Sequence, residues 1–328
     1  MDCLSDLTIV NPIRPVNGAG LVGRLCGGIR YYGLLPAMTP VAQKAAVGRR
    51  WMAVAWLGAL LVACYGPILA ALVRQWNNDE DMGHGFFVPA VALYLVWQKR
   101  HALGAIEPRT NWWGLALVVY GAVQMYVGTL GAELFLSRTA LVISLVGMVL
   151  FAGGTAYLRV LAFPLGLLFF MVPLPAIVYS RITFPLQLVA SRAASFALAF
   201  LGIPVLRRGN VLELPEQTLS VVEACSGIRS LLSLSFLALV YGYFFDRRRS
   251  VRLVLLAATV PIAIVANAGR VTLTGLLSQY KPELAEGFFH SASGWVIFMV
   301  ALASLIVLHQ VLSRVCALVA SRRRKVSA

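Results

Sequence analysis

Long apolar runs separated by short polar breaks dominate the chain from about residue 50 onward, and they predict spanning helices rather than a globular core. Crossing a hydrocarbon layer as an α-helix takes about 20 predominantly apolar residues. Runs meeting or approaching that length cover 51–73, 85–98, 112–130, 134–152, 157–173, 226–245, 251–274 and 290–312. The second is short and needs flanking residues or local thinning to cross. Residues 176–205 are also apolar but contain Arg181, Pro185 and Arg192, and read as one interfacial or re-entrant helix. Between it and the sixth span, Val211, Leu212, Leu214, Leu219, Val221 and Val222 flank Pro215-Glu216-Gln217. That pattern predicts a short β-hairpin. The expected fold is therefore an all-α polytopic membrane protein of about eight transmembrane helices, with one interfacial or re-entrant helix and a short periplasmic β-hairpin.

Composition sharpens this picture. Of 328 residues 59% are apolar and 12% charged, against about 25% charged in soluble domains. The formal net charge of +15 raises nucleic acid as a partner, but the basic residues fall in short clusters between apolar runs and no nucleic-acid-binding motif accompanies them, so that class is excluded. Lys44, Arg49 and Arg50, then Lys99, Arg100 and Arg109, then Arg247, Arg248, Arg249 and Arg252, and finally Arg322 to Lys325 all fall on one side if the spans alternate. That side is cytoplasmic by the positive-inside rule. Acidic residues from Asp79 to Asp81, Glu133, Glu213, Glu223 and Glu283 fall on the opposite side. Residues 1–45, rich in Gly, Pro and Arg, read as a disordered cytoplasmic tail, 46–314 as the membrane domain, and 315–328 as a basic cytoplasmic tail.

The five cysteines (Cys3, Cys26, Cys64, Cys225, Cys316) form no CxxC pair, so neither a disulfide framework nor a metal site is read, and no cofactor is expected. Cys225 differs from the other four in its surroundings. The predicted topology brings it, Arg270 and His290, separated by 45 and 20 residues in the chain, to the non-cytoplasmic ends of three consecutive spans. A thiol, a permanent cation and an imidazole on one membrane face are the parts of a cysteine acyl-transfer site. A helix N-terminus and a nearby cation favour the thiolate, an imidazole can take and return the proton, and a guanidinium can hold a developing oxyanion. Backbone N–H groups at Ser226 and Gly227 offer a second oxyanion contact. Arg229, Glu223, Asn267 and His84 are secondary candidates for substrate contact.

These segments also resemble a known family. Val222-Glu-Ala-Cys-Ser-Gly-Ile-Arg-Ser230, Asn267-Ala-Gly-Arg-Val271 and His290-Ser-Ala-Ser-Gly294 are similar to the three signature regions of the exosortase/archaeosortase family. Trp76 through His84-Gly-Phe-Phe-Val-Pro89, Val172-Pro-Leu-Pro175 and Gly202-Ile-Pro-Val205 with Arg208-Gly-Asn210 resemble its other motifs, in order, over about residues 50–312. The resemblance implies a membrane cysteine protease/transpeptidase of the bacterial inner membrane. Its partners would be exported proteins carrying a C-terminal PEP-type sorting signal, together with membrane lipid and an unidentified acyl acceptor. It further implies Cys225 as nucleophile, Arg270 as oxyanion or thiolate partner and His290 as general base and acid, facing the periplasm. Two alternatives rest on the residues alone: a transporter of an anionic substrate using Arg270 and Arg229, and a scaffold for polysaccharide export.

Overall fold

The computed structural model describes residues 40–215, 218–220, 227–280 and 287–326; for some of these at the segment ends only the backbone is described. The expectations for residues 1–39 and for the Pro215-Glu216-Gln217 turn beyond Pro215 lie outside them. The helices are α1 (Pro40–Asn78), α2 (Phe87–Gln98), the short α3 (Arg100–Gly104), α4 (Trp112–Leu130), α5 (Leu134–Leu167), α6 (Ala176–Phe200), α7 (Gly227–Phe245), α8 (Arg249–Tyr280) and α9 (Gly287–Val326). Two 3₁₀ segments, Glu80–Phe86 and Leu168–Met171, precede α2 and follow α5. Residues from Ala59 onward form one unit, and the contacts below belong to it.

Six helices among the described residues are long and apolar enough to cross a membrane: Ala55–Asn78, Trp112–Leu130, Leu134–Met171, Ala176–Phe200, Arg249–Gln279 and Gly294–Ser321. Large apolar side chains such as Trp56, Leu93, Val123, Val265 and Val300 stand exposed along these and the shorter α2. Such an area of apolar surface is stable against acyl chains and not against water. The chain is an all-α polytopic membrane protein with a small sheet.

The correspondence with the eight expected spans is uneven, for identifiable reasons. The runs 134–152 and 157–173 are joined in α5, but Gly154 adopts φ 74° and ψ −171°, which interrupts the helix. Either side of this break returns to the same part of α1: Tyr65 Oη lies 3.3 Å from Ala140 O, and Trp76 Nε1 donates to Met171 O at 3.0 Å. A straight helix would separate residues 140 and 171 by about 46 Å, while Tyr65 and Trp76 are only about 17 Å apart along α1. The chain therefore doubles back at Gly154. Its φ lies in the region L side chains rarely enter, and a Cβ there would collide with Arg109 O, so glycine is required. One expected span, in α2, is shorter than a full crossing at 12 residues, whereas α7 has the same 19 residues as α4.

Residues 176–200, expected as interfacial or re-entrant, form one continuous helix that is long and apolar enough to cross. Its Leu186 joins Val260, Ile264 and Asn267, and its Leu198 reaches Gly275. It thus rises beside the second half of α8 in the same direction. The β-hairpin is a correction of one strand: Leu206–Arg208, Val211–Glu213 and Thr218–Ser220 make an antiparallel meander β1-β2-β3. Gly209 at φ 68° supplies the tight first turn. Finally, α9 continues through the basic residues expected to form a tail, ending at Val326.

Two packing devices hold the bundle. Gly114, Gly121 and Gly128 recur every seven residues on α4 and are buried against Gly147, Ser144 and Ser137 of α5. Small residues at this spacing let two backbones meet closely where no hydrophobic effect drives association. At the Arg247–Arg249 end (the basic end), His309 of α9 lies 3.0 Å from Tyr241 Oη through Nδ1, and 3.4 and 3.2 Å from Asp246 and Ser313 through Nε2. Asp246 also accepts from Arg248 N at 2.8 Å, and Arg252 Nε donates to its carbonyl. This cluster pins α9 to the turn between α7 and α8.

Candidate active site

At the opposite end (the sheet end), described parts of α7, α9 and the sheet meet around one turn of α8 that carries Asn267 and Arg270. The register of α7 against α8 follows from Ser235 Oγ and Thr259 Oγ1 at 3.1 Å, and from Leu231 and Ala263 lining the same small cavity with Asn267. Carried antiparallel to the start of α7, the register sets Gly227 level with Asn267. From the other direction, Leu219 of β3 packs with Val271, Leu212, Leu214 and Leu198, and reaches Gly275. The described residues on either side of 221–226, Leu219 and Gly227, thus lie against α8 near Gly275 and Asn267 respectively, and Arg270 lies between those two positions on the helix.

The last span arrives at the same turn. A Cβ on Gly294 of α9 would stand 3.3 Å from Cζ and Nη2 of Arg270 and 3.5 Å from Nη1. The guanidinium is therefore seated directly on the α9 backbone at Gly294. Position 290 is one helical turn earlier on the same face of α9. Asn267 is buried one turn before Arg270 on α8. Neither Asn267 nor Arg270 is without an interaction partner. Cys225 and Glu223 lie outside the described residues, and of Arg229 and His290 only the helical backbone is described.

His84 occupies a different place from these. It is buried, with Nε2 3.2 Å from Phe170 O and Nδ1 3.4 Å from Ser233 Oγ. Ser233 is six residues into α7 from Gly227, about 9 Å deeper along the helix. His84 ties the 3₁₀ segment before α2 to the end of α5 and to α7, beside Trp76, which packs edge-on against Phe86 at 5.3 Å. Its ring faces the bundle rather than a headgroup layer.

One residue escaped the sequence reading. Arg138, on α5 one turn from its sheet end, is buried at 5% exposure. An arginine four residues inside an apolar run was the available signal, because a charge there costs about 2.5–3.5 kcal/mol on insertion scales.

The comparisons agree with the motif reading. The model of the transmembrane exosortase family (Exosortase_EpsH) matches residues 76–307, more than half of the chain. No curated protein and no solved structure matches it. The chain belongs to the transmembrane exosortase family. That membership supports a membrane transpeptidase and sorting role in general terms.

Proposed function

We propose that this protein cleaves the C-terminal sorting signal of exported proteins, made of a PEP-type motif, an apolar span and a basic tail, through an acyl-enzyme on Cys225. The observation that supports it most is the convergence on Arg270: α9 seats the guanidinium at Gly294, while Leu219 of β3 and the start of α7, which flank residues 221–226 in the chain, lie against the same stretch of α8.

In this reading His290 takes the thiol proton, and the Cys225 thiolate attacks the scissile carbonyl carbon. The developing oxyanion is held by Arg270 and by backbone N–H groups at the start of α7. Collapse breaks the C–N bond as His290 returns the proton to the leaving amine, and a thioester remains. An acceptor nucleophile or water then takes the acyl group and restores the thiol. Asn267 positions Arg270 from one turn below, and Arg229 and Glu223 contact the signal. The site faces the periplasm of a bacterial inner membrane, following the basic clusters at the other end.

The test is processing of a co-expressed reporter bearing such a signal, with wild type beside Cys225→Ala and Cys225→Ser. Shortening by the wild type and loss in both variants, with normal insertion, upholds the proposal. Full processing by Cys225→Ala removes the nucleophile assignment. An intact reporter with the wild type removes the proposed activity for that signal.

A further inference from the structure

We propose that the outer edge of β3 binds the extended peptide beside the scissile bond as a fourth strand of the sheet. This rests on the cleavage at Cys225 proposed above. Which backbone groups face that edge follows from the register. Arg208 and Val211 close a two-residue turn through Gly209 and Asn210, so they form a hydrogen-bonded pair, and so do Leu206 and Glu213 two residues further on. Val211 and Glu213 thus turn their N–H and C=O groups to β1, and Leu212 turns its own to β3, where it faces Leu219. The N–H and C=O groups of Thr218 and Ser220 therefore point away from β2. By the same alternation Arg207 points its own outward from the opposite edge of the sheet.

Among the described residues no backbone hydrogen bond reaches Thr218 or Ser220 from outside the sheet. Thr218 is exposed and Ser220 half-buried, while Leu219 turns into the apolar cluster with Leu198, Leu212 and Val271. An unpaired edge is a template for another strand unless it is blunted, commonly by charge. The two edges of this sheet differ in that respect. β1 carries Arg207 and Arg208, with Arg207 Nη1 donating to Gly209 O at 2.8 Å and Arg208 Nε 3.1 Å from Glu213 Oε1. β3 carries no charge.

The position of β3 identifies the occupant. α6 packs against β1 and β2, with Ser191 Oγ donating to Gly209 O at 3.0 Å, whereas Leu219 of β3 reaches α8 at Val271 and Gly275. β3 thus lies on the turn of α8 that follows Arg270. Cys225 is five residues beyond Ser220, at most about 17 Å of extended chain. A peptide paired with Ser220 therefore lies within about five residues of a bond attacked by Cys225, at about 3.3 Å per residue. Main-chain pairing suits such a peptide, because it holds an extended backbone whatever its side chains and leaves specificity to alternate positions.

The experiment uses the full chain carrying Cys225→Ala, in detergent, and a fluorescent synthetic peptide of the sorting signal, with affinity read by anisotropy. Thr218→Pro and Ser220→Pro each remove one outward N–H without touching the pairing with β2. Each should weaken binding about two- to tenfold, the loss of one hydrogen bond. Arg207→Pro, which removes the outward N–H of the β1 edge, should bind as the parent does. Unchanged affinity in both β3 variants overturns the edge, and a loss in Ser220→Ala as large as in Ser220→Pro overturns the main-chain assignment. If the proline variants do not insert, amide-to-ester replacement at successive peptide residues reads the same pairing on the unaltered chain. Loss at every second residue upholds the fourth strand, and loss at none, or at consecutive residues alike, overturns it. With Cys225 restored, the proline variants should raise KM of reporter cleavage and leave kcat unchanged. Binding that the proline variants weaken, in a wild type that does not cleave, removes the cleavage reading and upholds the edge; cleavage with an unchanged KM in those variants does the reverse.

Discussion

Gly294 separates stability from activity in one substitution. It lies in a helix, where replacing glycine with alanine reduces backbone entropy lost on folding and favours the helix by about 0.5–1 kcal/mol. The same Cβ would stand 3.3 Å from the Arg270 guanidinium carbon and from Nη2. Carbon contacts relax at about 3.5–4.0 Å, so Gly294→Ala pushes the guanidinium back by roughly 0.3–0.5 Å. Gly294→Leu adds three further carbons in the same direction and displaces it by well over about 1 Å, a misplacement that costs on the order of 100-fold in rate. The expected pattern is graded. Gly294→Ala processes the reporter about two- to tenfold more slowly, and Gly294→Leu about 100-fold more slowly, while Gly294→Ala melts at the same temperature as wild type or above it. Processing rate measured from single-turnover reporter cleavage, beside a thermal melt of each purified variant, reads both quantities. Wild-type rates in Gly294→Leu with normal insertion would refute the argument that Arg270 acts from its seat on α9.

Four other outcomes follow from the packing. Gly154→Ala should lower the melting temperature, since it forces an L side chain to φ 74° and against Arg109 O at a cost of at least about 1 kcal/mol; Gly166→Ala, with nothing within 4 Å, should not. Gly121→Val should separate α4 from α5, because even a Cβ at that position meets Ser144 Oγ and lies 3.1 Å from Ala140 O; cross-linking across the two helices would show it. His309→Leu leaves the buried Asp246 without its α9 partner and should cost about 1.5–3 kcal/mol in thermal unfolding, while His309→Gln, which keeps a donor near the Nε2 position, should recover part of it. Trp76→Phe removes the 3.0 Å bond to Met171 O and should cost about 1–3 kcal/mol, read by the same melt.

The candidate site was partly legible in the chain because its elements follow rules of local periodicity and charge. The helix starting at Gly227 and the one carrying Arg270 are visible as apolar runs bounded by polar residues, and alternation of spans brings their ends to one face. What the pattern could not show is the seat of the guanidinium. Nothing in the spacing of Arg270 and Gly294 says that they touch, because contact between two helices depends on rotation about both axes. His84 illustrates the same limit: the sequence offers it as a secondary candidate for substrate contact, and only packing of the 3₁₀ segment against α5 and α7 shows that it is buried.

By itself the sequence determined that this is a membrane protein of many helices, where most of those helices lie, and which family it belongs to. Those properties follow from apolar length, basic clustering and short motifs, all of which are local. Tertiary structure alone decided that α5 doubles back at Gly154, that Gly209 adds a third strand to the sheet, that residues 176–200 rise beside α8, and that Arg138 is buried. Each of these depends on which surfaces meet across long stretches of chain. In a bundle where lipid and protein interior are equally apolar, hydropathy carries no record of that choice.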